Sequence, residues 1–363
     1  MHHACVLLLA LQAPESPPAP VSDAADRAFK DEFSFTHPAF DPAWINATGL
    51  PTAASENIGD VVKDEDLVVG VEIGDATRAY PIWMLSSPEV VNDRFGGEEL
   101  AVAWCKACHA PVVYDRVVDG RTLTIGNYRC IWRASMVMYD VETGSLWVQG
   151  TGECRAGPLR GKSLGLVVSS LTTWKQWKTL HPDSTVAIGD WKETEHRSRN
   201  WFWDKSAADR MGVVLRIGNK ARLYPLPLLE TTGAVSDLFD DVWVLVLFSR
   251  ENQSMLAFRG EVDGKPVRIA LAPRVEGQPQ LVETVGQVPL AGKAGEPLVK
   301  RRWRADTGQP EGKDASFAPL ERLVAYPMRQ RHFQGLFPEG TVCLRQAPPL
   351  PATPPSEGPV RRE

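Results

Sequence analysis

Alternation of apolar and polar positions runs through most of the chain. Leu67-Val68-Val69-Gly70-Val71-Glu72-Ile73 is followed by Gly74-Asp75 and then by Ala76-Thr77-Arg78-Ala79-Tyr80-Pro81, which predicts a hairpin closed by a Gly-Asp turn. Leu100, Val102 and Trp104 alternate ahead of Cys105, and Val112-Val113-Tyr114 follows Cys108, so two strands are expected around a bend at these cysteines. Further short runs lie between turn signals such as Phe95-Gly96-Gly97 and Val118-Asp119-Gly120-Arg121. The clearest helix pattern is Thr173–Leu180, opened by a threonine cap and stopped at Pro182, with Trp174 and Trp177 on one core-facing side. The pattern predicts a mainly β (α+β) chain of antiparallel strands with a few short helices.

The same pattern occurs twice. Ile217-Gly218-Asn219-Lys220-Ala221-Arg222-Leu223-Tyr224-Pro225 repeats Ile73–Pro81 at 144 positions further on. In the same register Val91-Asn92-Asp93 meets Val235-Ser236-Asp237, and Val118-Asp119-Gly120 meets Val262-Asp263-Gly264. Later the spacing changes, yet Thr143-Gly144 still matches Thr307-Gly308 and Thr185-Val186 matches Thr341-Val342. An internal duplication is therefore expected, with tandem copies at 65–190 and 208–345 joined by a connector at 191–207. A Pro- and Ala-rich extended arm at 14–64 leads in, and a disordered tail is expected at 346–363. Trp201-Phe202-Trp203 in the connector would seal the copies together or bind a partner.

The 363 residues, 43% hydrophobic and 23% charged, fit a globular chain of more than one domain. A net charge of −5 and a pI near 5.9 argue against nucleic acid as partner. No run reaches the roughly 18 apolar residues of a transmembrane helix. Ala4-Cys5-Val6-Leu7-Leu8-Leu9-Ala10-Leu11, followed by Gln12-Ala13 and a Pro-rich stretch, resembles a short secretory signal over 1–13. This predicts a periplasmic or extracellular protein, with a cytoplasmic one as the alternative.

Candidate chemistry gathers at Trp104-Cys105-Lys106-Ala107-Cys108-His109. Two thiols at this spacing suit disulfide exchange, with Cys105 attacking, Cys108 resolving and Lys106 favouring a thiolate. They equally suit a soft metal of the copper(I) type, held by Cys105 and Cys108 with His109 and the thioethers of Met136 and Met138. Cys-x-x-Cys-His also matches c-type haem attachment, with His109 as the axial ligand and Met136 or Met138 as the distal one. Either of the first two readings implies a redox or metal-delivery partner protein. In the second copy Cys105, Cys108 and His109 fall on Ser249, Asn252 and Gln253, so the first copy is read as active and the second as structural. A non-catalytic extracellular binding module remains open, its twelve tryptophans filling cores and ligand grooves. His181 and Asp183 close a helix and are read as structural.

Ala79-Tyr80-Pro81, Val91-Asn92-Asp93, the Cys105–Cys108 turn, Val112-Val113-Tyr114-Asp115, Met138-Tyr139-Asp140, Thr143-Gly144-Ser145-Leu146-Trp147 and Ala156-Gly157-Pro158-Leu159 come in this order. Thr172-Thr173-Trp174 and His181-Pro182-Asp183 follow. Over about 65–190 the chain thus resembles the bacterial and archaeal family catalogued as domain of unknown function 3179. The resemblance implies an envelope or exported protein with a Cys-x-x-Cys turn and implies no reaction. Relatives often carry Gly, His or Arg after the second cysteine, and the family pattern is typically non-cysteine where Cys130 and Cys154 stand. Strand register bears on those two: if Ile131–Tyr139 pairs with Leu146–Gln149 about Thr143-Gly144, Cys130 and Cys154 come close enough for a disulfide.

Overall fold

The computed structural model describes residues 24–36, 52–54, 61–86, 88–187, 211–275, 278–285, 298–312 and 316–344. The suggested signal, the Trp201–Trp203 connector and the tail lie outside the described residues. The chain is mainly β, its strands spread over several sheets with short helices at their ends. No described helix is long and apolar enough to cross a membrane.

The expected hairpins form where small two-residue turns permit them. Leu67–Ile73 pairs with Ala76–Pro81 across Gly74-Asp75, and Met211–Ile217 pairs with Lys220–Pro225 across Gly218-Asn219. Gly74 and Gly218 take φ of 56° and 53°, the left-handed region that such turns demand. Gly70 has a different reason: a Cβ there would fall inside the indole of Trp177. That indole comes from the helix Trp174–Leu180, whose cap is Thr173 accepting from the Gln176 backbone N–H. Trp174 and Trp177 are both buried, with Val68 and Val186 in the same cluster.

Each hairpin carries the same buried ion pair. Arg78 donates to Asp93 at 2.7 Å, Tyr80 donates to the same carboxylate at 2.7 Å, and Arg78 lies over the Phe95 ring at 4.5 Å. Arg222, Asp237, Tyr224 and Phe239 repeat this set, with donor distances of 2.6 and 2.9 Å and a ring distance of 4.6 Å. Arg78 also reaches Thr185 and Arg222 reaches Thr341, each on a short parallel neighbour strand.

The two stretches share their cores. One cluster joins Val69, Tyr80 and Val102 to Val213, Tyr224 and Val246; another joins the region of Cys105 and Cys108 to Tyr326, Met328 and Phe333. One eight-stranded sheet runs from Ala234–Phe239, Val242–Ser249 and Ser254–Arg259 directly into Ser169–Thr173 and Leu67–Ile73. The exchange is reciprocal. Thr173 N–H donates to the Asn252 carbonyl at 3.0 Å, and Arg329 N–H donates to the Cys108 carbonyl at 3.2 Å.

Two expectations need correction. The arm contains a helix, Ala24–Asp31, because Ala-Ala-Asp-Arg-Ala-Phe-Lys-Asp combines good helix formers with an apolar face. It buries Phe29 and Asp26, and Asp26 accepts from the Gly157 N–H at 3.0 Å. The Cys130–Cys154 bridge is absent, and both thiols are free and buried. The expected pairing does occur, as Val137↔Val148, Met138↔Trp147 and Tyr139↔Leu146. However, Arg133 and Ala134, at φ of 46° and 64°, turn the chain between Ile125–Trp132 and Ser135–Asp140. Cys130 therefore lies one strand further out than the register assumed, and Cys154 sits on Cys154–Ala156 beyond Leu146–Val148. Two strands separate them in the sheet order.

Candidate functional site

Cys105 ends the strand Glu98–Cys105 and Ala110 begins Ala110–Asp115; the two residues are register partners. Lys106–His109 is thus a four-residue turn, closed by His109 at φ 56°. Both cysteines and His109 are buried, whereas Lys106 is exposed. Within the turn, the Cys108 N–H donates to Cys105 Sγ at 3.3 Å. The Cys108 thiol faces the Gln149 side-chain oxygen at 3.7 Å, and Gln149 in turn donates to the Ala110 carbonyl at 3.0 Å. Tyr114 and Tyr326 hydroxyls hold the carbonyls of Gln149 and Gly150 at 2.6 and 3.0 Å, fixing this wall.

The two thiols are chemically unequal. Burial opposes ionisation of Cys105, but donation from the Cys108 thiol and from the Cys108 and Met136 backbone N–H groups outweighs it, so the Cys105 pKa is lowered. Burial raises that of Cys108 well above the ordinary thiol value, and its hydrogen bond to Cys105 raises it further. An attacking and a resolving thiol differ in this sense.

A carboxyl group stands beside the pair. Glu89, at φ 61°, faces Trp104 across the strand ladder, its carbonyl accepting from the Trp104 N–H at 2.7 Å. Its side chain accepts from Asn127 at 2.8 Å. Burial lifts its pKa to about 7, against the opposing pull of Lys106, the Asn127 amide and Arg129. Its charge is felt at Cys105.

His109 is engaged elsewhere. The guanidinium of Arg329 lies 2.9 Å from its Nε2; arginine only donates, so Nε2 accepts and the ring proton belongs on Nδ1. Burial, with Arg329, His332 and Arg331 nearby, lowers its pKa to about 3. His332 is lowered to about 4 by burial with Arg331 and Arg329.

Of the residues expected at the site, Cys105 and Cys108 meet, and Met136 and Met138 are buried in the same core cluster. Met136 contributes its backbone N–H to Cys105. His109 Nε2 is engaged by Arg329, and among the described residues no group of three or more His, Cys, Asp and Glu side chains is arranged for a metal ion. Glu89, Gln149 and Arg329 escaped the sequence reading. Pro88-Glu89 before Val90-Val91 resembles any strand entrance, and Arg329 is 220 positions from His109. His181, read as structural, packs against Trp177 with ring centres 4.1 Å apart and planes tilted by 38°.

Fold and site together define a β-rich protein with a buried, unequal dithiol on a hairpin turn. Residues 42–205 match the model of the family described as protein of unknown function (DUF3179). No curated protein and no solved structure gives a significant match to the chain.

Proposed function

We propose that Cys105 and Cys108 form a redox dithiol that exchanges with disulfides. The observation that carries this reading is the unequal pair: Cys105 is favoured as thiolate while Cys108 keeps its proton. Cys105 Sγ attacks one sulfur of the substrate disulfide; that S–S bond breaks, a mixed disulfide forms and one substrate thiolate leaves. Cys108 then loses its proton to the Glu89 carboxylate and attacks Cys105 Sγ, expelling the second substrate thiolate. The substrate disulfide gains two electrons, the dithiol loses two, and the proton ends on Glu89. Since the thiols are buried, the Lys106–His109 turn must open for attack.

A soft-metal role would draw on Cys105 and Cys108 with the thioether of Met136 or Met138 as third donor, since Arg329 engages His109. Haem attachment would need that same His109 nitrogen as axial ligand. We read the chain as exported, on the leader pattern at Ala4–Ala13, and as an internal duplication. The duplication is supported by the matched Arg78/Asp93/Tyr80 and Arg222/Asp237/Tyr224 sets. It is also supported by the Asn252 N–H contact to Ser249 Oγ at 3.4 Å, the counterpart of Cys108 to Cys105.

The test is equilibration of the full chain in glutathione redox buffers, followed by peptide mapping. Loss of two hydrogens located at Cys105–Cys108 is expected. Thiols that remain reduced in every buffer would overturn the proposal, and stoichiometric copper(I) binding by such thiols would favour the metal role instead.

A further inference from the structure

The chain carries a net charge of −5, yet cations crowd the dithiol turn. On one side exposed Lys106 and half-buried Arg129 both act on the Glu89 carboxyl. On the other, half-buried Arg329 reaches His109 and binds the Cys108 carbonyl through its N–H. Exposed Arg331 adjoins, donating to His332 at 2.8 Å. Both histidines stay neutral near pH 7, so the positive charge comes from the four side chains alone, two beside the Glu89 carboxyl and two beside the histidines.

We infer, resting on the redox reading above, that this turn docks the disulfide of an acidic polypeptide, one whose cystine is flanked by Asp and Glu. The cations come from separate elements: the turn itself, the Ile125–Trp132 strand, the end of the Ala325–Arg329 strand and the first turn of the Gln330–Leu336 helix. Positive charge on both sides of the thiols suits carboxylates spread along an extended chain better than one compact anion. Such complementarity speeds encounter and orients the disulfide before attack. The chemistry is the exchange described above, with the peptide disulfide as oxidant.

The experiment compares reduced full-length protein against cystine peptides of equal length with Glu, Gln or Lys flanks, alongside oxidised glutathione. At low salt the Glu peptide should react about 10-fold or more faster than the Lys peptide, and the gap should shrink at high salt. Arg331→Glu should move the Glu-to-Lys rate ratio toward one. Equal rates for Glu and Lys peptides, with exchange intact, would overturn the acidic partner alone. Oxidised glutathione outrunning the Glu peptide would overturn the polypeptide assignment. No exchange with any disulfide would overturn the redox reading and this inference with it.

Discussion

Glu89 offers the sharpest quantitative test. In the unfolded chain its carboxyl titrates at the ordinary value of 4.5, while in the fold it titrates at about 7. Between these values the folded state holds more protons, so stability falls as pH rises through that window and levels off above it. The gap corresponds to about 3 kcal/mol in total, of which about 2.5 kcal/mol falls between pH 5 and pH 8. Glu89→Gln removes the titration but keeps an oxygen to accept from Asn127. Urea unfolding of both proteins at pH 5, 6, 7 and 8 isolates the effect, because every other titrating group is common to the pair. The variant should gain about 2.5 kcal/mol on the wild type across that range. Stability curves that run parallel, offset by a constant, would refute the burial argument for Glu89 and with it the proton acceptor of the exchange step.

Two further expectations follow from the fold. Ser249→Cys with Asn252→Cys should create a second dithiol that oxidises under mild conditions, read by peptide mapping; a pair that never cross-links would count against the equivalence of the two turns. Gly70→Ala should cost about 3 kcal/mol of stability by driving a methyl into the Trp177 ring, and a urea midpoint equal to wild type would contradict that packing.

The hairpins and the cysteine turn were legible because alternation and turn residues act locally: Gly74-Asp75 and Gly218-Asn219 announce their own geometry. The Arg133-Ala134 turn was hidden for the same reason in reverse. Neither residue favours a positive φ, so two strands read as one and the disulfide register failed. The dithiol itself was visible as spacing, but its asymmetry was not. That property depends on burial, on the Met136 N–H and on Glu89, none of which the Cys-x-x-Cys spacing contains. His109 shows the limit most plainly: adjacency in sequence suggested a ligand, whereas tertiary structure gave it to Arg329.

The reciprocal bonds from Arg329 to Cys108 and from Thr173 to Asn252 also constrain the order of assembly. A chain made from its N-terminus presents Cys105 and Cys108 long before residue 329 exists. Until then their turn lacks its N–H latch, and the wall of Tyr326, Met328 and Phe333 is missing. The contacts that complete the cover of the thiols thus span high sequence separation. A chain truncated before residue 325 would therefore lack both that bond and those side chains around the dithiol.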